Sequence, residues 1–113
     1  MVNFNKGLEL YADDKEDYIF VLKSFLKNIP ESMNTLKKLM NMDSYLNSYI
    51  LIHGIKGTMQ LIGAEEITTK LIDLETYIQI KKPFDECLLL YEIILEEYNI
   101  IIKEVKDWLN KND

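Results

Sequence analysis

The only histidine of the chain, His53, opens the run His53-Gly54-Ile55-Lys56-Gly57-Thr58-Met59-Gln60-Leu61-Ile62-Gly63-Ala64, and chemistry is concentrated there. Read as a helix at about 100° per residue, the run places His53, Lys56, Gly57 and Gln60 on one stripe and Leu51, Ile55, Met59 and Ile62 on the opposite one. The apolar stripe must face a core, so the imidazole faces solvent. An exposed imidazole is a nitrogen nucleophile able to take a phosphoryl group. Lys56, one turn on, can set an ammonium beside the phosphoryl oxygens. Gly57 lies beneath the ring and leaves room for a second protein. Two glycines inside one helix cost about 1 kcal/mol each relative to alanine, a break in local economy that belongs to a working site rather than to a scaffold. Gln60 shares the stripe and is a candidate for touching the phosphoryl group or a partner; its other reading is an exposed polar filler. Tyr49, one turn before His53, is a candidate docking residue with Leu46 and Ile50; its other reading is packing beneath a short opening helix.

The elements that position these residues follow from apolar spacing of three and four with few glycines and prolines. A short helix is predicted around Phe4 to Tyr11, with the aspartates of Ala12-Asp13-Asp14 available to cap the next. A second helix runs from about Lys15 to Met40, with Ile19, Leu22, Phe25, Leu26, Ile29, Met33, Leu36 and Leu39 inward and Pro30 expected to kink or split it. Asp43 or Ser44 caps a third helix reaching Ile62, which Gly63 ends in the left-handed conformation. Glu65 and Glu66 start a fourth helix that buries Ile67, Leu71, Leu74 and Ile78, and Lys81-Lys82-Pro83 closes it. The last helix runs from about Phe84 to Leu109. The fold class is therefore all-α: an antiparallel four-helix bundle with a short additional N-terminal helix, in a single domain over residues 1–113.

If the third and fourth helices form a hairpin pivoting near Ala64, residues equidistant from the pivot lie level. His53 and Glu75 are both eleven residues from it. A Glu75 carboxylate accepting Nδ1–H would fix the tautomer and leave Nε2 as the attacking atom.

The run HGIKGTMQLIGA resembles the motif of histidine-containing phosphotransfer (HPt) domains: a histidine, Lys-Gly at the third and fourth places after it, and Gly-Ala at the tenth and eleventh. The runs FLKNIPESMNTLKKLM upstream and LIDLE downstream look like the flanking helices of that family, so the likeness spans nearly the whole chain. It implies phosphorylation of His53 at Nε2, Lys56 near the phosphoryl group, and Glu75 hydrogen-bonded to the ring. Glutamate at the last place is closest to the phosphotransfer domains of chemotaxis kinases. Gly54 departs from the family, which more often has Thr or Ser there. The implied role is relay of a phosphoryl group between a sensor histidine kinase or receiver aspartate and a response regulator.

Composition narrows the remaining classes. The net charge of −6, with 13 basic residues all lysine, offers little of the field or the guanidinium forks that nucleic acid requires. Lone Cys87 and lone His53 leave no soft-ligand set for a structural metal, and no disulfide is available. No secretory segment or bilayer-length apolar run is present, so the expected location is cytoplasmic without membrane attachment. A further reading is the phosphotransfer domain of a larger kinase, though the start methionine and the polar Asn-Lys-Asn-Asp end suit a free-standing protein. Gly54-Ile55-Lys56-Gly57 lacks the spacing of a nucleotide loop, so a carrier rather than an enzyme is expected, with no cofactor of its own and Mg²⁺ supplied by the receiver domain. A monomer is expected. The rival reading is a helical adaptor or dimerisation module whose histidine is never phosphorylated.

Overall fold

The computed structural model describes all residues, 1–113, as five helices: α1 (Phe4–Glu9), α2 (Lys15–Asn41), α3 (Tyr45–Ile62), α4 (Glu65–Gln79) and α5 (Phe84–Asn112). The four long helices pack in a ring, α2 on α3, α3 on α4, α4 on α5 and α5 on α2, while the diagonal pairs do not meet. Short connections make neighbours antiparallel, and the bundle measures 42 × 21 × 19 Å.

Each helix starts and stops where its residues dictate. Asn3 and Asp14 accept backbone N–H bonds from Lys6 and Asp17 and so cap α1 and α2. Gly63 takes φ 86° and ends α3. Ser44 occupies the position before α3 but its side chain makes no capping bond, and Asp43 adopts a positive φ of 55° in the turn instead. α1 ends at Glu9, two residues short of the expected Tyr11, because Ala12 and Asp13 turn the chain with positive φ.

The core is one cluster of side chains from all four long helices. α4 buries Ile67, Leu71, Leu74 and Ile78 as its spacing demands. In α2 the fully covered line is Tyr18, Leu22, Phe25, Ile29, Met33, Leu36 and Met40, whereas Ile19, Leu26 and Leu39 sit at its edge, half-buried. α3 likewise seats Ile52 in the core and turns Leu51 toward the groove shared with α2. Pro30 does not split α2. Its missing N–H forfeits one helical bond to Leu26, yet Phe25, Ile29 and Met33 on either side are locked into the core, and that burial outweighs the lost bond.

One end of the bundle is closed by the N-terminal segment. Asn3 N–H donates to Gly63 O at 3.0 Å, Tyr18 OH donates to Ile62 O at 2.7 Å, and Tyr11 OH to Leu61 O at 3.0 Å. Phe4 stacks on Trp108 at 5.3 Å between ring centres, and Tyr18 meets the same indole edge-on. These bonds satisfy the last carbonyls of α3 and thereby fix the pivot of the α3–α4 hairpin. No helix is long and apolar enough to cross a membrane.

Candidate functional site

α3 carries a single lysine and no acidic residue, so its outer face is set by His53, two glycines and uncharged side chains. His53 lies opposite the buried line of Ile52, Ile55, Met59 and Ile62, and its side chain is 64% exposed. The antiparallel packing of α4 brings Glu75 to its level. Glu75 Oε2 lies 2.9 Å from His53 Nδ1, the contact that equal spacing from Ala64 implies.

Glu75 itself is buried, with only 10% of its side chain exposed. A buried carboxylate needs every lone pair partnered, and here Oε2 faces the imidazole while Oε1 accepts from Lys56 Nζ at 2.8 Å. Burial alone would raise the Glu75 carboxyl, but the Lys56 and His53 hydrogen bonds and the charge of Lys56 outweigh it and hold the group below its ordinary value of 4.5. The carboxylate is therefore an acceptor, and the hydrogen between it and the ring sits on Nδ1. In the neutral ring, Nε2 then carries the lone pair. No protein group hydrogen-bonds Nε2.

Lys56 departs from the simple stripe. At three residues from His53 it is turned toward α4, and its side chain is only 16% exposed. The ammonium is thus engaged with the carboxylate that orients the ring, rather than extended into solvent beside Nε2. The aliphatic stem lies along the α3–α4 seam with the charge at its end on Glu75.

Gly54 and Gly57 flank the ring with open space: a Cβ built on either one meets no atom within 4 Å. The helix is reinforced locally by Thr58 Oγ1, which donates to Gly54 O at 3.2 Å. On the other side the Tyr49 ring lies nearly parallel to the imidazole, 6.2 Å between centres. Tyr49 OH is 3.5 Å from Gln79 Nε2, and both residues line a shallow groove of about 310 Å³ with Tyr45, Leu46, Ile78 and Lys81. Tyr49 does not pack beneath α1, which lies at the far end of α3. Gln79 was missed from the sequence although the hairpin rule reaches it: Tyr49 and Gln79 are both fifteen residues from Ala64.

Gln60 stays on the His53 face but two turns along, about 10 Å away, at an opening it shares with Lys6, Glu65 and Thr69. The fold therefore brings together His53, Glu75 and Lys56, places Tyr49 and Gly57 at their rim, and leaves Gln60 outside. No three His, Cys, Asp or Glu side chains converge to hold a metal ion. No family model, curated protein or solved structure matches the chain.

Proposed function

We propose that the chain is a histidine phosphotransfer protein that relays a phosphoryl group between a sensor histidine kinase or receiver aspartate and a response regulator through His53. One observation carries the reading: an exposed imidazole whose Nδ1 is held by a buried carboxylate while Nε2 is open to solvent. The likeness of the His53–Ala64 run to HPt domains supports the same reading.

The chemistry follows from that geometry. The Nε2 lone pair attacks the phosphorus of the donor, an N–P bond forms, and the bond from phosphorus to the donor's carboxylate oxygen or imidazole nitrogen breaks. As N–P bonding advances the ring gains positive charge, and Glu75 stabilises it through the Nδ1–H bond. Lys56 keeps Glu75 ionised and fixed in place. The return step is the reverse: a receiver carboxylate oxygen attacks phosphorus, the N–P bond breaks, and the pair of electrons returns to Nε2. The bare backbone at Gly54 and Gly57 admits the partner's acidic pocket to the ring. Mg²⁺ belongs to the receiver, whose acidic side chains hold it.

Incubation with a phosphorylated receiver or an autophosphorylating kinase tests the reading. The wild-type chain should acquire acid-labile, base-stable phosphate, and His53→Gln should acquire none. Equal labelling of the variant refutes the assignment; binding of a receiver with no labelling of wild type favours the adaptor reading. Lys56→Ala should label more slowly while remaining folded by circular dichroism.

A further inference from the structure

α5 presents two unlike faces. Cys87, Tyr91, Ile94, Tyr98, Ile101 and Val105 are buried against α2 and α4. On the opposite side, at alternating spacings of three and four, stand Glu86, Leu89, Ile93, Glu96, Ile100 and Lys103. Leu89, Ile93 and Ile100 are 69%, 52% and 51% exposed. Glu96 and Lys103 take part in no ion pair within the chain, and Glu86 has only a 4.0 Å approach to Lys82. An aliphatic stripe with unpaired charges at its edges resembles one half of a helix–helix seam.

The order of the residues identifies the other half. We propose that this face joins two copies of the chain through an antiparallel, two-fold contact of α5 with α5. The stripe is complementary to its own reverse about a point between Ile94 and Leu95. With two copies antiparallel about that point, Glu86 meets Lys103 of the second copy, Leu89 meets Ile100, and Ile93 meets the methylenes of Glu96. Two-fold symmetry makes each pairing occur twice. A parallel arrangement would instead set Glu86 against Glu86 and Lys103 against Lys103, which like-charge repulsion opposes, whereas Glu96 lies near its own copy in either direction. Charge therefore selects both the partner and its direction, and the apolar side chains supply the attraction.

The contact spans about 26 Å of helix, short of the area of a standard stable interface, so association is weak, on the order of 100 µM. The monomer expected from the sequence is then the dilute state. α5 is diagonal to α3 in the bundle, so the dimer leaves both His53 side chains facing outward. The inference stands independently of the phosphotransfer reading.

Sedimentation equilibrium on the intact chain, from about 10 µM to about 1 mM, decides it. In about 0.15 M salt, which screens the repulsion between two chains of net charge −6, the weight-average mass should climb from 13.3 kDa toward twice that value. Lys103→Glu should hold the chain at monomer mass across the range. Combining it with Glu86→Lys should restore association to within a few-fold of wild type, since both pairs are then reversed. Glu96→Leu should tighten association by about tenfold by replacing the central polar contacts. The proposal is overturned by a wild-type chain that stays monomeric at about 1 mM. It is also overturned by Lys103→Glu associating like wild type, or by a doubly reversed variant that keeps the wild-type circular-dichroism melt yet fails to associate. All these positions are on the surface, so folding is preserved in each variant.

Discussion

Gly7 and Gly63 sit where the bundle has no room for a side chain, whereas Gly54 and Gly57 sit where it has room to spare. A Cβ on Gly63 would lie 2.7 Å from Asn3 O, and its φ of 86° already disfavours any L side chain. A Cβ on Gly7 would run into the Tyr18 ring, whose hydroxyl ties down Ile62. At Gly54 and Gly57 nothing stands within 4 Å. The first pair is needed by the fold, which closes the α3–α4 turn by direct contact of backbones. The second pair is not, and the same helix would be firmer with alanine in both places. The fold does not account for these two glycines, whereas the proposed docking of a partner over His53 does.

The largest effect that can break this comparison is at the turn. Gly63→Ala should lose about 3 kcal/mol, from the left-handed backbone and the overlap with Asn3 combined, and lower Tm by about 10–15 °C. Gly7→Ala should lose about 2 kcal/mol as Tyr18 is displaced. Thermal melts check both, and losses below about 0.5 kcal/mol would show that the N-terminal strap yields easily.

Acid should separate the two regions more finely. The turn is held by backbone bonds and shape, but the His53 region is held by an ionised Glu75. Because Lys56 and His53 keep the folded carboxyl below its ordinary value of 4.5, the stabilisation from Glu75 is fully present above that value and is lost as pH falls through the lower, folded one. Glu75→Gln should therefore be less stable than wild type by about 1–2 kcal/mol near neutral pH, with the gap closing as pH falls below that of an ordinary carboxyl. A pH-independent gap in denaturant titrations would assign Glu75 a packing role only.

The smallest effect has the opposite sign. Gly57→Ala and Gly54→Ala should each stabilise the chain by about 0.5–1 kcal/mol. If the cleared surface serves phosphoryl transfer, Gly57→Ala should also slow labelling from a receiver, because a methyl group enters the approach to His53. A stabilised variant with unchanged transfer kinetics would sever the link between the bare backbone and function.

Much of this arrangement was legible before any coordinates. Spacing and capping chemistry located the helices to within a few residues, and the angular position of His53 followed from where Ile55, Met59 and Ile62 had to go. Counting from Ala64 put Glu75 opposite His53, because a two-residue connection leaves an antiparallel hairpin almost no freedom of register. The same count would have found Gln79 beside Tyr49.

Local patterns could not decide where Lys56 points, that Pro30 leaves α2 whole, or that Asn3 clamps Gly63. A lysine has many rotamers, and its choice of Glu75 over solvent depends on a charge nineteen residues away on another helix. Tolerance of Pro30 depends on core contacts with the neighbouring α3 and α5, and the strap joins segments sixty residues apart. Periodicity states which face of a helix is apolar; only the packed structure states what that face, and the long side chains at its margin, come to rest against.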